Sequence, residues 1–254
     1  MPALPHTSLN ELREQIRRLE SGGGHGHGVL PFGVAEIDQC LPDGGLAMGA
    51  LHEMAGSGQG TVDGAAAALF AAGIAARTSG QVLWCVSRPD LFAPALAQAG
   101  LPPDRILYVE AGDDTGVLAC FEEGLRHGSL GAVVAEVAKL SMTASRRLQL
   151  AAESGNTLGL AVRRWRREKD ARDFGEPTAA VTRWRVSTLP SAPLAVEGLG
   201  PARWRLELLR CRGGERAEFH VEVSQNETQN TPHRLTVFSD LSHRSVAPGR
   251  LYAS

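Results

Sequence analysis

Long hydrophobic runs are missing from this sequence. No stretch approaches the roughly twenty consecutive apolar residues that a membrane-spanning helix needs, so no bilayer segment is expected. No charged segment followed by an apolar one stands at the N-terminus, so no secretory signal is read and the expected compartment is the cytoplasm. The four cysteines (Cys40, Cys85, Cys120, Cys211) form no CxxC pair and lie far from any histidine cluster. They read as reduced, mostly buried thiols, which excludes a disulfide framework or a zinc ribbon. Aromatic residues make up 5% of the chain and the net charge is −2, so a globally basic nucleic-acid coat is excluded too. The most telling absence is local: no lysine or arginine occurs between Gly45 and Arg77.

What is present in that cation-free interval has the layout of a nucleotide-binding strand, loop and helix. The strand is expected over 50–54. It is followed by Gly56, Ser57, Gly58, Gly60, Thr61 and Asp63, and then by an Ala-rich helix over 62–77. A phosphate-cradling loop needs glycines so that backbone N–H groups can converge on the anion. It also needs a lysine for the β- and γ-phosphates and a hydroxyl for magnesium. Here the lysine position falls on Val62 and the hydroxyl position on Asp63; in another frame Gly60 and Thr61 match, with the lysine deleted. Losing one charge-assisted contact forfeits roughly 1.5–3 kcal/mol. A carboxylate at Asp63 adds about 4 kcal/mol of repulsion at 4 Å if the effective dielectric is near 20. Weak nucleotide binding and no hydrolysis follow, with no cofactor and no metal. The spacing Gly56-x-Gly58-x-Gly60 does not complete a dinucleotide fingerprint, because the position that needs the last glycine is Thr61.

Strand and helix patterns alternate along the middle of the chain. Strands are expected over 81–86, 106–110, 132–137 and 157–163, and helices over 91–99, 115–126 and 143–154. Such alternation means βαβ crossovers and a mostly parallel twisted sheet flanked by helices. After Pro177 the period changes to two over 179–189, 203–211 and 217–223, with a Gly213-Gly214 hairpin turn; these read as antiparallel strands on one edge of that sheet. Within them Trp184 and Trp204 are expected to point inward and the flanking arginines outward. Residues 1–29 read as an amphipathic helix over 8–20, striped by Leu9, Leu12, Ile16 and Leu19, plus a Gly-rich linker. That helix is a candidate for docking on a partner, on a second copy or on its own core. Residues 30–224 form the domain, and 225–254 read as a largely disordered tail anchored only by 235–238.

The segment Leu30-Pro-Phe-Gly to Gly56, with Asp38-x-x-Leu41 and Gly44-Gly45-Leu46 ahead of the strand, resembles the start of a RecA core. As a set with Leu83-Trp-Cys, Pro94-Ala-Leu-Ala-Gln-Ala-Gly, Thr143 to Glu153 and Ala202 to Gly213, it is similar to the ImuA family. The resemblance runs from about Leu30 to Gly214. It implies an α/β RecA-like fold and an accessory role in SOS-induced translesion synthesis. The implied partners are an ImuB-type polymerase-like protein, a DnaE-type error-prone polymerase and RecA itself. It also places Glu136 at the Walker-B carboxylate, read here as a relic or a hydrogen-bonded core group. A basic segment holding Arg163, Arg164, Trp165, Arg166, Arg167, Lys169 and Arg172 has six cations against two acids over 163–172. It is expected on a sheet edge, where such a core contacts DNA: arginines for phosphates, the indole for stacking. Two other functions fit the same residues: a SulA-like cell-division inhibitor, and a divergent ATPase that borrows a cation from Arg77, Arg88 or a neighbouring protomer.

Overall fold

The computed structural model describes residues 28–57, 60–165, 174–191, 198, 200–224 and 234–238. The expected helix over 8–20, Gly58, and the basic residues Arg166, Arg167, Lys169 and Arg172 lie outside them.

In chain order the elements are β1 (Val29–Leu30), α1 (Ala35–Asp38), a 3₁₀ turn (Pro42–Gly44), β2 (Leu46–Ala47), β3 (Leu51–Gly56), α2 (Gly60–Ala76), β4 (Val82–Val86), α3 (Ala93–Gln98), β5 (Ile106–Glu110), α4 (Asp114–His127), β6 (Ala132–Val137), α5 (Met142–Gly155), β7 (Leu158–Arg163), β8 (Thr182–Leu189), β9 (Ala202–Cys211), β10 (Ala217–Ser224) and β11 (Arg234–Val237). Local chemistry sets the boundaries. Asp113 caps α4 by accepting from Gly116 N at 2.8 Å, and Gly128 ends that helix in the left-handed region at φ 76°. Ser141 caps α5 in the same way, accepting from Ala144 N. The entry segment is held by Asp38, whose carboxylate accepts from the backbone N–H groups of Phe32, Gly33 and Val34 at 2.7, 2.9 and 3.2 Å.

One nine-stranded sheet carries the molecule, in the order β11-β10-β9-β8-β3-β7-β6-β4-β5. The pairs from β8 through β5 are parallel, and β9, β10 and β11 add antiparallel strands on the β8 side. The first of the three period-two segments, β8, is therefore itself parallel to β3, and the antiparallel part starts one strand later than expected. The β3, β6 and β7 strands are buried along their whole length, which is why they read as near-continuous apolar runs. One face carries α2 and α3, with Phe32, Phe70 and Trp184 at mutual ring distances of 5.6–5.8 Å; the other carries α4 and α5 around Phe121, Leu125 and Leu148. The Ala-rich α2 is apolar on nearly every side because it lies against the middle of the sheet.

One expectation is located and another corrected here. The anchor expected within 225–254 is an edge strand, Arg234–Val237, hydrogen-bonded to β10, with Leu235 buried. And the basic segment does not leave a sheet edge: it follows β7, a central strand, and the chain crosses over β3 to reach β8. Consecutive strands in sequence are usually neighbours; here β3 is inserted between them, and no local pattern signals that insertion.

Candidate functional site

The carboxyl ends of β3, β7, β6 and β4 bring together most of the described residues singled out by sequence. The β3 strand ends at Gly56, and a side chain there would place Cβ 2.6 Å from the Asp63 carbonyl carbon and 2.7 Å from Gly64 N. The strand thus runs hard against the first turn of α2, and only glycine permits that approach. Thr61 and Val62 face solvent, Val62 at 63% exposure.

Asp63 is only 2% exposed. Its Oδ2 accepts from the Ser57 hydroxyl, and its Oδ1 accepts from Thr188 N at 2.9 Å and Thr188 Oγ1 at 2.8 Å. The carboxylate sits in the first turn of a helix, where the macrodipole favours negative charge. The loop is therefore braced from within by an anion, at the place where a phosphate loop carries its magnesium hydroxyl. Arg77, one candidate for a borrowed cation, lies beyond the far end of the 17-residue α2, about 24 Å from the loop at 1.5 Å per residue. There it donates to Gly73 O and Phe32 O.

Glu136 is 5% exposed near the end of β6. It accepts from the Trp84 indole N–H at 3.0 Å and from Arg164 Nη1 at 2.5 Å. Glu136 is thus a buried, hydrogen-bonded group. Arg164 also makes a two-pronged contact with Asp90, at 2.9 and 3.1 Å. Burial pulls the Arg164 pKa down, but Glu136 and Asp90 outweigh it and hold it above its ordinary value.

Arg163 is corrected outright as a DNA-contact candidate. It is 1% exposed and donates to Glu53 Oε1 at 2.6 Å and Ala138 O at 2.8 Å. The other oxygen of Glu53 accepts from Thr178 Oγ1 at 2.7 Å and Arg183 Nε at 3.0 Å. Arg183 continues to Phe174 O and Glu176 O, with its guanidinium 5.1 Å from the Phe174 ring centre. Arg183 is consequently buried, against the expectation that it points outward. Trp165, 5.9 Å from the Phe174 ring, closes the two feet of the basic segment together. Glu53 and this buried network were not singled out by the sequence reading. A glutamate inside an apolar strand was the available signal, because a buried charge demands partners.

Trp184 and Trp204 are buried as expected, but the arginines beside them form no free basic stripe. Arg203 pairs with Glu222 at 2.9 Å, Arg205 with Glu218 at 2.8 Å, and Arg185 approaches Glu207 at 3.8 Å. The acids sit opposite on β9 and β10, a register that sequence spacing does not reveal. The four cysteines are free thiols; only Cys85 is fully buried, and burial pushes it up to about 12. Among the described residues no His/Cys/Asp/Glu group is arranged to hold a metal ion, and no helix is long and apolar enough to cross a membrane.

Comparison with known proteins follows the same lines. The Protein ImuA sequences of two Caulobacter vibrioides strains (NA1000/CB15N and ATCC 19089/CB 15) are each 39% identical over 229 residues, covering 86% of this chain and 92% of theirs. No family model matches. Among solved structures, the RadB recombinase superposes with a TM-score of 0.53 at 15% identity, over 77% of this chain and 96% of its own, so the two share a fold, which is RecA-like. SulA from Pseudomonas aeruginosa aligns over 44% of this chain at 30% identity, with a TM-score of 0.37 that carries no argument.

Proposed function

This chain belongs to the ImuA family, and from that premise we propose that it is a non-catalytic RecA-like adaptor in SOS-induced translesion DNA synthesis. Its partners on this reading are an ImuB-type polymerase-like protein, a DnaE-type error-prone polymerase and RecA. The observation that carries the non-catalytic part is the Asp63 carboxylate, braced by Ser57 and Thr188 in a loop whose interval has no lysine or arginine. A triphosphate entering that loop meets an acid where it needs a cation. The carboxylate in the Walker-B position is likewise engaged by a guanidinium. What the core keeps without fuel is a sheet with helices on both faces, a segment of basic composition after β7 and surfaces on which partners dock.

The basic segment's part in DNA contact is narrower than its composition suggests. Arg163 and Arg164 are engaged internally, so the proposal for phosphate contact rests on Arg166, Arg167, Lys169 and Arg172. Nucleic acid held by so few charges loses affinity with salt at a shallow slope, about 0.7–0.9 per phosphate neutralised.

The test is a titration of the full chain with ATP and magnesium alongside co-purification with the three partners. Absent saturation and turnover, with the polymerase-like partners retained, is the expected result. Tight ATP binding with hydrolysis overturns the adaptor reading in favour of the divergent ATPase; capture of a tubulin-like filament protein in place of the polymerases favours the SulA-like alternative.

A further inference from the structure

The guanidinium over Glu136 does more than neutralise it. Asp90 stands in the turn after β4, Glu136 on β6, and Arg164 directly after β7, so one side chain ties together the carboxyl ends of three neighbouring strands. The shared cleft is rich in negative charge. Tyr108, opposite Trp84 in the β4–β5 register, has its phenol raised first by burial and then by Glu110, Glu136 and Asp90, with Arg164 opposing. Three acids therefore act on this cleft against one guanidinium. With that balance of charge around it, the buried Glu136 carboxylate draws a cation, and here the chain supplies its own.

We propose that Arg164 is a resident internal cation that shuts the cleft over Glu136 to divalent metal, an autoinhibitory contact built into the fold. The inference deepens the adaptor reading but is carried by the Arg164 contacts alone, which hold the neighbouring acids in place. A guanidinium remains charged at any pH a protein tolerates, and its planar fork matches the Asp90 carboxylate. A metal entering here must strip both carboxylates from Arg164 and leave that side chain, 34% exposed, without them. The same contact withholds Arg164 from any phosphate. Release of Arg164 toward nucleic acid and closure of the cleft are mutually exclusive.

Terbium(III) is the probe, because the Trp84 indole bonded to Glu136 places a sensitiser beside the carboxylate. The wild-type chain gives no saturable tryptophan-sensitised emission. Arg164→Gln gives saturable emission that excess calcium displaces, and adding Glu136→Gln to it weakens binding about ten-fold or more. Equal terbium affinity in wild type and Arg164→Gln overturns the proposal, as does a folded Arg164→Gln chain that binds none. Should Arg164→Gln not fold, Asp90→Asn loosens only the exposed side of the clamp. Tryptic cleavage of the Arg164–Trp165 bond, read by mass spectrometry, then rises several-fold because the guanidinium is freed on that side, and unchanged cleavage overturns the idea. ATP bound at the phosphate loop of a wild-type chain that still refuses terbium removes the adaptor reading and leaves this one standing.

Discussion

Glu53 is the residue on which the largest single-site effect is expected. It balances two buried guanidiniums, Arg163 and Arg183, and both of these also rely on backbone carbonyls of residues 138, 174 and 176. Breaking a buried pair strands the surviving charge, which costs about 3–5 kcal/mol. Glu53→Gln and Arg163→Ala should each lower the unfolding free energy from urea melts by an amount in that range, whereas Arg166→Glu should leave it unchanged. His52 gives a second expectation. Its Nε2–H donates to Ala47 O at 2.9 Å, and its Nδ1 accepts from Thr182 Oγ1 at 2.8 Å, which in turn accepts from the Trp184 indole. Burial holds its pKa down at about 4 against the ordinary 6.5. The folded chain binds the proton less readily than the unfolded one, so the stabilisation is complete above pH 6.5 and lost as pH falls toward 4. The loss is about 3 kcal/mol across that window. Urea melts at pH 7, 5.5 and 4.5 check this; a His52→Gln chain lacks this part of the slope.

At the scale of elements, the loop between β3 and α2 is set by close packing and by an internal anion. Gly56→Ala puts a methyl 2.6 Å from backbone that cannot yield without moving α2, and should destabilise by about 1–3 kcal/mol. Asp63→Ala leaves the Thr188 N–H and two hydroxyls without their acceptor and should cost a similar amount by thermal melting. If Asp63→Ala proves neutral, the loop is not braced as described. The basic segment makes the opposite kind of prediction. Arg166→Glu with Arg167→Glu should weaken any DNA binding and flatten its salt dependence with no change in melting temperature. Charge reversal at Arg163 reports only on the core. These elements also mark the limits of sequence reading. Strand and helix positions from 50 to 163 were legible because periodicity is local, and Glu136 and Asp63 were found because motif spacing is local too. The pairing of Arg163 with Glu53, 110 positions away, and of Arg203 with Glu222 across a hairpin depended on strand order and register.

For the whole molecule, the sheet divides the work. Its parallel half holds the candidate site at the carboxyl ends of the strands, and its antiparallel extension, closed by Arg234–Val237, is laced with opposed charges. Deleting residues 225–254 removes a paired strand with buried Leu235 and should lower the melting temperature, so its effect on partner binding must be read against that loss. Deleting residues 1–21 tests the Leu9, Leu12, Ile16 and Leu19 stripe without touching any described element; a partner lost on that deletion alone identifies the stripe as the hook.

By itself the sequence determined that this is an α/β chain with a RecA-like order of elements and a glycine-rich interval without a cation after its first long strand, because hydrophobic period, glycine placement and a missing lysine are properties of contiguous residues. Only the tertiary structure decided which charges are spent inside. Two of the six cations in the basic segment face Glu53, Glu136 and Asp90, since a sheet that inserts β3 between β7 and β8 brings carboxylates from distant strands to the root of that segment. Burial then compels the pairing, because an ion taken out of water is tolerated only beside its opposite.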